Sequence, residues 1–377
     1  MKKITFIILL MPMTFAITPP KDGTLPIGVL DRFKEQDIGE NYGDPGWVRK
    51  IASQRNTEDR DVQSEFNIPV LLGKYSGATT YFNSTNFDAL LFGNNSTGSL
   101  KDYYNEISYG HFQIDGSVSG WYQSSLNQSQ AVDDVRQYVA EVASLADPDF
   151  DYGQFDNDGP DNIPNSGDDD GYVDGLVVVY PGCLSGEDNL WAHQSSLGSN
   201  QYVSNDQTPN GDYIIVNSYM VCPELPGSSN CITTDLCPMG LFAHEFGHIL
   251  GLPDLYDRDQ SNGDSEGLGE WCLMASGNWL GWYGDTPSHM SSWCKIEMGW
   301  MEPTIANNGT TDVPIAQLAT SPTAIKVWED DYRSNRYFLI ENRQAHGFDS
   351  YINGTGLMIY HVNENRRAGF DSFGPIN

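Results

Sequence analysis

The sequence predicts an α+β fold followed by a β-rich extension, and three observations carry that expectation. Apolar, β-branched runs bounded by turn residues recur between Asn67 and Pro223, as strands require. Val132, Val135, Val139, Val142 and Leu145 fall at helical spacing, and so do Phe242, Phe246 and Ile249. From Pro303 onward, runs such as RYFLIEN and GLMIYHV alternate with turns and show no helical period.

In chain order, NIPVLLGKYSG reads as a buried strand, SLKDYYNEISYG as a helix and HFQIDGSVSGWY as an alternating strand. SQAVDDVRQYVAEVASLA reads as one amphipathic core helix, GLVVVYPG as a buried strand and NLWAHQSS as an exposed one. DYIIVNSYMVCPEL supplies another strand before a helix spanning 238–250. In TPSHMSSWCKIEMGW, Thr286 and Pro287 are expected to cap and open a further helix.

The stretch AHEFGHILGLPDLYD gathers the chemistry. On a helix, His244 and His248 lie one turn apart on one face, so two imidazoles reach one ion. Glu245, beside them, suits a general base acting on water at an open coordination position. Gly251 accepts the left-handed conformation that ends a helix, Pro253 prevents its resumption, and Asp254 arrives after the reversal as third ligand. This His, His, Asp set implies a hydrolytic zinc site. Ordinary surface residues on an amphipathic helix are the plain alternative. His289 is a rival ligand, and so are Glu266 and Glu270 if the site follows the thermolysin pattern.

Downstream, LMASG looks like the tight turn of metzincin-type zinc proteases, which places Met274 beneath the metal. GNWLGWYGD suits a pocket wall, with Tyr283 a candidate oxyanion donor against a purely structural aromatic. His111 and His193 read as surface, packing or rim residues. NLWAHQSS is also the candidate rim on which an extended substrate would pair.

The loop DNDGPDNIPNSGDDDGYVD concentrates carboxylates and glycines, which suits calcium or, equally, a solvated acidic loop. Asp156, Asp158, Asp168, Asp170 and Asp174 are the candidate ligands. The six cysteines allow three bridges and suit an oxidising compartment, with Cys272 and Cys294 the preferred pair. N-x-S/T triplets occur at Asn83 and Asn127 among other places.

A net charge of −31 over 377 residues disfavours nucleic acid and anionic membrane surfaces as partners. Lys2 and Lys3 precede an apolar run ending near Ala16, which reads as a signal peptide over residues 1–16 and implies export. Residues 17–65 are polar and turn-rich, a prosegment or loose extension. The main folded unit then spans 66–302 and the β-rich extension 303–377. No later stretch is long enough to cross a bilayer.

Several motifs together resemble the immune inhibitor A-like family of secreted zinc metalloendopeptidases. They are SLKDYYNEISYGHFQIDGSVSGWY, DDDGYVDGLVVVY, HEFGHILGLPDLYD, LMASGNWLG, HMSSWCKIEMGW, RYFLIENRQ and GLMIYHV. The resemblance implies a metzincin-like catalytic domain, a twisted mixed sheet with an active-site helix, acting on protein or peptide substrates. It further implies a removable propeptide and a chain that normally continues past Asn377. A protease-derived scaffold serving only as a binding or adhesion module is the alternative from another class.

Overall fold

The structure is a computed structural model that describes residues 16–17, 64–159, 161, 163–184, 190–227, 231, 234–257, 265–306, 312–328 and 334–364. The expected signal peptide and prosegment lie outside the described residues, apart from Ala16–Ile17 and the pair at 64–65.

In chain order the elements are β1 (Ala16–Ile17), β2 (Ser64–Lys74), α1 (Ser84–Leu91), α2 (Leu100–Ile107), β3 (Phe112–Gln123), α3 (Gln128–Asp133) and α4 (Val135–Ala146). There follow β4 (Tyr172–Val173), β5 (Leu176–Tyr180), β6 (His193–Ser196), β7 (Tyr202–Gln207), β8 (Tyr213–Val216), β9 (Ser218–Pro223) and α5 (Met239–Ile249). The chain continues through α6 (Ser292–Glu297), β10 (Thr304–Ile305), β11 (Ala324–Trp328), β12 (Arg336–Arg343) and β13 (Gly356–Asn363).

The main sheet has the order β1-β6-β9-β5-β2-β3. Its interior pairs, β2 with β3, β2 with β5 and β5 with β9, are parallel, whereas β6 and β1 add antiparallel strands at one side. All five residues of β5 are buried, as a strand covered on both faces requires. Helix α5 packs over the sheet through Phe246, whose ring lies 5.6 Å from Phe66 and 5.2 Å from Tyr104. Tyr138 of α4 donates to Gly73 O at 2.7 Å, on the opposite face of β2 from Phe66 by strand alternation. The smaller sheets have the orders β4-β8-β7 and β10-β11-β12-β13. Tyr337, Leu339, Phe348 and Tyr360, from the second of these and its connections, join the same core as α5.

Several local expectations are corrected. The stretch expected as one helix breaks at Asp134, whose φ of −144° is not helical and whose side chain accepts from Gln137 N to cap α4. Leu145, expected on the same apolar face, is exposed, while Val132, Val135, Val139 and Val142 are buried. NLWAHQSS is not exposed: β6 is buried between β9 and β1. DYIIVNSYMVCPEL forms two strands, β8 and β9, in different sheets. Thr286 and Pro287 do not open a helix, because α6 begins after Ser291, whose side chain accepts from Cys294 N. Asn83 and Asn127 spend their side chains capping α1 and α3.

Candidate metal centre

Helix α5 carries the motif, and every residue in it is buried. Pro238 precedes it in extended conformation, which the fixed proline φ favours at a helix start. At the other end Gly251 adopts φ +86°, and its N–H donates to His248 O at 2.8 Å while Leu252 N–H donates to Gly247 O at 3.0 Å. These bonds satisfy the last helical carbonyls and turn the chain back. The reversal brings Asp254 under the helix.

Three atoms meet there. His244 Nε2 lies 3.1 Å from Asp254 Oδ1, His248 Nε2 lies 3.2 Å from the same oxygen, and the two imidazole nitrogens are 3.2 Å apart. A tetrahedral zinc with bonds of about 2.0–2.1 Å sets its ligand atoms roughly 3.3 Å apart, so this triangle fits one face of such a tetrahedron. All three side chains are fully buried. Burial works to raise the Asp254 carboxyl, but His248 and then His244 overcome it and hold it well below the usual carboxylate range.

The second nitrogen of each ring is spoken for. His244 Nδ1 lies 2.8 Å from Leu273 O and His248 Nδ1 lies 2.7 Å from Leu252 O. A carbonyl accepts only from a protonated nitrogen, so each ring keeps its Nδ1–H and, when neutral, offers its Nε2 lone pair to a cation at the common point. Leu273 begins the turn that carries Met274, which is fully buried. Met274 O accepts from Leu255 N at 2.6 Å, so one turn orients His244 on one side and the segment carrying Asp254 on the other. A Cβ added at Gly247 would overlap Met274 Sδ, which places the sulfur directly against α5 between the two histidines.

Residues 74–301 match the immune inhibitor A peptidase M6 catalytic domain. The chain belongs to that family. It is 28% identical over 228 residues to pre-pro-metalloprotease PrtV of Vibrio cholerae serotype O1, covering 52% of this chain and 23% of that one. It is 26% identical over 251 residues to immune inhibitor A of Bacillus thuringiensis subsp. alesti, covering 56% of this chain and 34% of that one. The chain thus spans about a quarter to a third of the length of these relatives.

Within this M6 peptidase domain Glu245 is fully buried beside His244. Cys222, at the end of β9, is also fully buried; burial first and the charge of Glu245 second push its thiol well up, keeping it protonated and inert. The rival ligands do not join the triangle. His289 is engaged elsewhere, its Nε2 2.8 Å from Glu106 Oε1 and its Nδ1 3.1 Å from Lys295 Nζ. The carboxylate grouped with the two histidines is Asp254, not Glu266 or Glu270. Tyr283 has φ +55° and stacks edge-on with exposed Trp282 at 5.2 Å between rings. His111 is exposed, and His193 is fully buried, with Nδ1 2.7 Å from Trp191 O.

The acidic loop gathers a second carboxylate group, Asp156, Asp158 and Asp169. Of the expected ligands, Asp156 and Asp158 belong to it, while Asp168, Asp170 and Asp174 are outside. Asp168 accepts from Ser166 Oγ, Asp170 from Tyr172 N at 2.9 Å, and Asp174 from Asn157 N at 2.6 Å. Asp169 enters instead because Gly159 N and Ser166 N both donate to it, at 2.6 and 2.5 Å, and turn it inward. Asp156 is 1% exposed and its Oδ1 has no hydrogen-bond partner. Burial, followed by the charges of Asp169, Asp170 and Asp158, pushes its carboxyl up to about 8.

Sequence reasoning missed Gly247 and Tyr104, whose hydroxyl donates to Ala243 O at 2.8 Å and braces α5 next to His244. A glycine inside a helix costs roughly 1 kcal/mol against alanine, and that anomaly was the available signal for Gly247. Tyr104 carried none.

Proposed function

We propose that this chain is an exported, zinc-dependent endopeptidase with a metzincin-like catalytic site. His244, His248 and Asp254 hold the ion and Glu245 is the general base. The observation that carries the reading is the buried triangle of two imidazole nitrogens and one carboxylate oxygen, each separated from the others by 3.1–3.2 Å. A single carboxylate with two neutral imidazoles is a donor set that suits zinc. Bound there, zinc supplies Lewis acidity toward the attacking water and the scissile carbonyl.

The chain's own residues do the rest. Leu273 and Leu252 fix the imidazole tautomers, and Asp254 neutralises part of the ion's charge. Glu245 takes the proton from the attacking water and returns it to the departing amine. The antiparallel edge beside α5 supports an extended substrate: β6 already pairs there with Ala16–Ile17, in register Ala16 with Gln194 and Ile17 with His193. Export is supported by the leader-like N-terminus and by the Cys183–Cys231 disulfide. No helix among the described residues is long and apolar enough to cross a membrane.

The deciding experiment pairs metal analysis with a chelator-reversible casein assay on wild type and Glu245→Ala. The variant keeps one zinc per chain and loses casein hydrolysis by about 10²–10⁴-fold, the range for removing a general base. Normal digestion by the variant would remove Glu245 from its role, and a wild type that digests casein in excess chelator would remove the metal.

The acidic loop supports a second cation, a calcium ion held by Asp156, Asp158 and Asp169. The orphaned, buried Asp156 Oδ1 is the observation that favours it over a solvated loop. Calcium should raise the melting temperature of wild type, and Asp156→Asn should abolish that increment; an equal rise in both proteins would assign the effect elsewhere.

A further inference from the structure

The segment between Cys272 and Cys294 builds the floor and one side of the metal centre. It contains Leu273 and Met274, whose carbonyls hold His244 and Leu255. It also contains Gly284, whose carbonyl accepts from Gly240 N at the start of α5 at 2.8 Å, and Ser288, whose carbonyl accepts from Tyr103. The two ends of this segment meet behind Met274. Cys272 Sγ and Cys294 Sγ lie 3.8 Å apart, both fully buried, and in the structure they are thiols. The pairing expected from sequence is therefore present as a contact and absent as a bond, while Cys183 and Cys231 are bonded.

Nothing else in the surroundings explains two thiols placed together. Ser291 N–H approaches Cys272 Sγ at 3.4 Å, and Ser291 Oγ approaches Cys294 Sγ at the same distance. These are weak contacts for sulfur. No third cysteine, histidine or carboxylate joins them in a metal-binding group among the described residues. The sulfurs, 3.8 Å apart, need to approach by less than 2 Å to reach the bonded separation of about 2.05 Å. The existing Cys183–Cys231 bond places the protein where thiols oxidise.

We propose that Cys272 and Cys294 form a second disulfide, and that it closes the segment carrying Met274 into a loop tied at its base. Each thiol loses its proton, one S–S bond forms, and the two electrons pass to an external disulfide of a thiol–disulfide exchange partner, which leaves as two thiols. The bond acts on the metal centre by position alone: it fixes Cys272, hence the Leu273 carbonyl that orients His244 and the Met274 carbonyl that holds Leu255 beside Asp254. That consequence rests on the metal-centre reading; the bond itself does not.

The full-length protein, exported into an oxidising compartment, is unfolded in denaturant with an alkylating agent and no reductant, then digested and mapped by mass. A linked peptide pair containing Cys272 and Cys294, two hydrogens lighter than the separate peptides, is the expected result. Alkylation of both residues would overturn the bond. This measurement needs neither metal nor activity, so it stands apart from the protease reading. The positional role is read by amide exchange in the Cys272→Ala/Cys294→Ala double variant, which leaves Cys183–Cys231 untouched. Peptides covering Leu255 and Met274 should exchange about tenfold faster than in wild type, with peptides from β2 and β5 unchanged. Wild-type exchange at Leu255 and Met274 would overturn the positional role, and uniformly faster exchange would reassign it to global stability.

Discussion

Two fully buried polar clusters lie within this fold, and they differ in charge balance and in construction. The candidate metal centre draws all three donors from residues 244–254, carries one carboxylate, and gathers three ligand atoms around a common point. The second cluster joins β12, the connection after it, the stretch before α6, and α2. Arg343 donates to Asp349 through Nε at 2.8 Å and Nη2 at 2.5 Å, and to Glu341 through Nη1 at 3.0 Å. Lys295 donates to Ile107 O at 2.7 Å, and His289 N donates to Asp349 at 2.9 Å. Here cations and anions of the chain satisfy each other. A buried cluster that balances its own charge is architecture, whereas one that presents only acceptors awaits a cation.

The contrast yields measurable differences. Arg343→Met strips the guanidinium from two buried carboxylates and should cost about 3–5 kcal/mol of stability with or without zinc, seen as an equal fall in denaturant midpoint in both conditions. A loss confined to the zinc-loaded protein would break the distinction. Gly247→Ala drives a methyl into Met274 and should cost about 1–3 kcal/mol, with zinc retention reduced in a chelator competition. Asp254→Ala should change the stability of metal-free protein by at most about 1 kcal/mol, because the neutral imidazoles left behind strand no buried charge, yet abolish the rise in melting temperature that zinc gives wild type. If Asp254→Ala still bound zinc stoichiometrically, a Glu266- or Glu270-type third ligand would be restored.

Legibility in the sequence follows the same divide. His244, Glu245, His248, Gly251 and Asp254 could be read because helix geometry and one glycine-led reversal fix their relation locally. The turn around Met274 was readable as a motif, but its bonds to His244 and Leu255 were not, since they join segments about 20–30 residues apart whose packing only the fold decides. Asp169 replaced Asp168 because backbone donors at Gly159 and Ser166 select which neighbour turns inward, a matter of loop conformation rather than composition. Thr286 and Pro287 carry cap-like identities, yet His289 N and Ser292 N are drawn to Asp349 and Glu341, and the helix waits until Ser291. The strand order was hidden for the same reason: β6 lies between β9 and β1, partners that come from distant parts of the chain.

The two donor sets differ in chemical appetite. Nitrogen-rich coordination at three points discriminates against hard alkaline-earth ions, which prefer many oxygens and flexible surroundings, while an all-oxygen loop discriminates against borderline-soft ones. On the proposed assignments, a fluid where calcium vastly outnumbers zinc would give the abundant ion no purchase on the imidazole pocket, and scarcity of the rarer one would not loosen the loop.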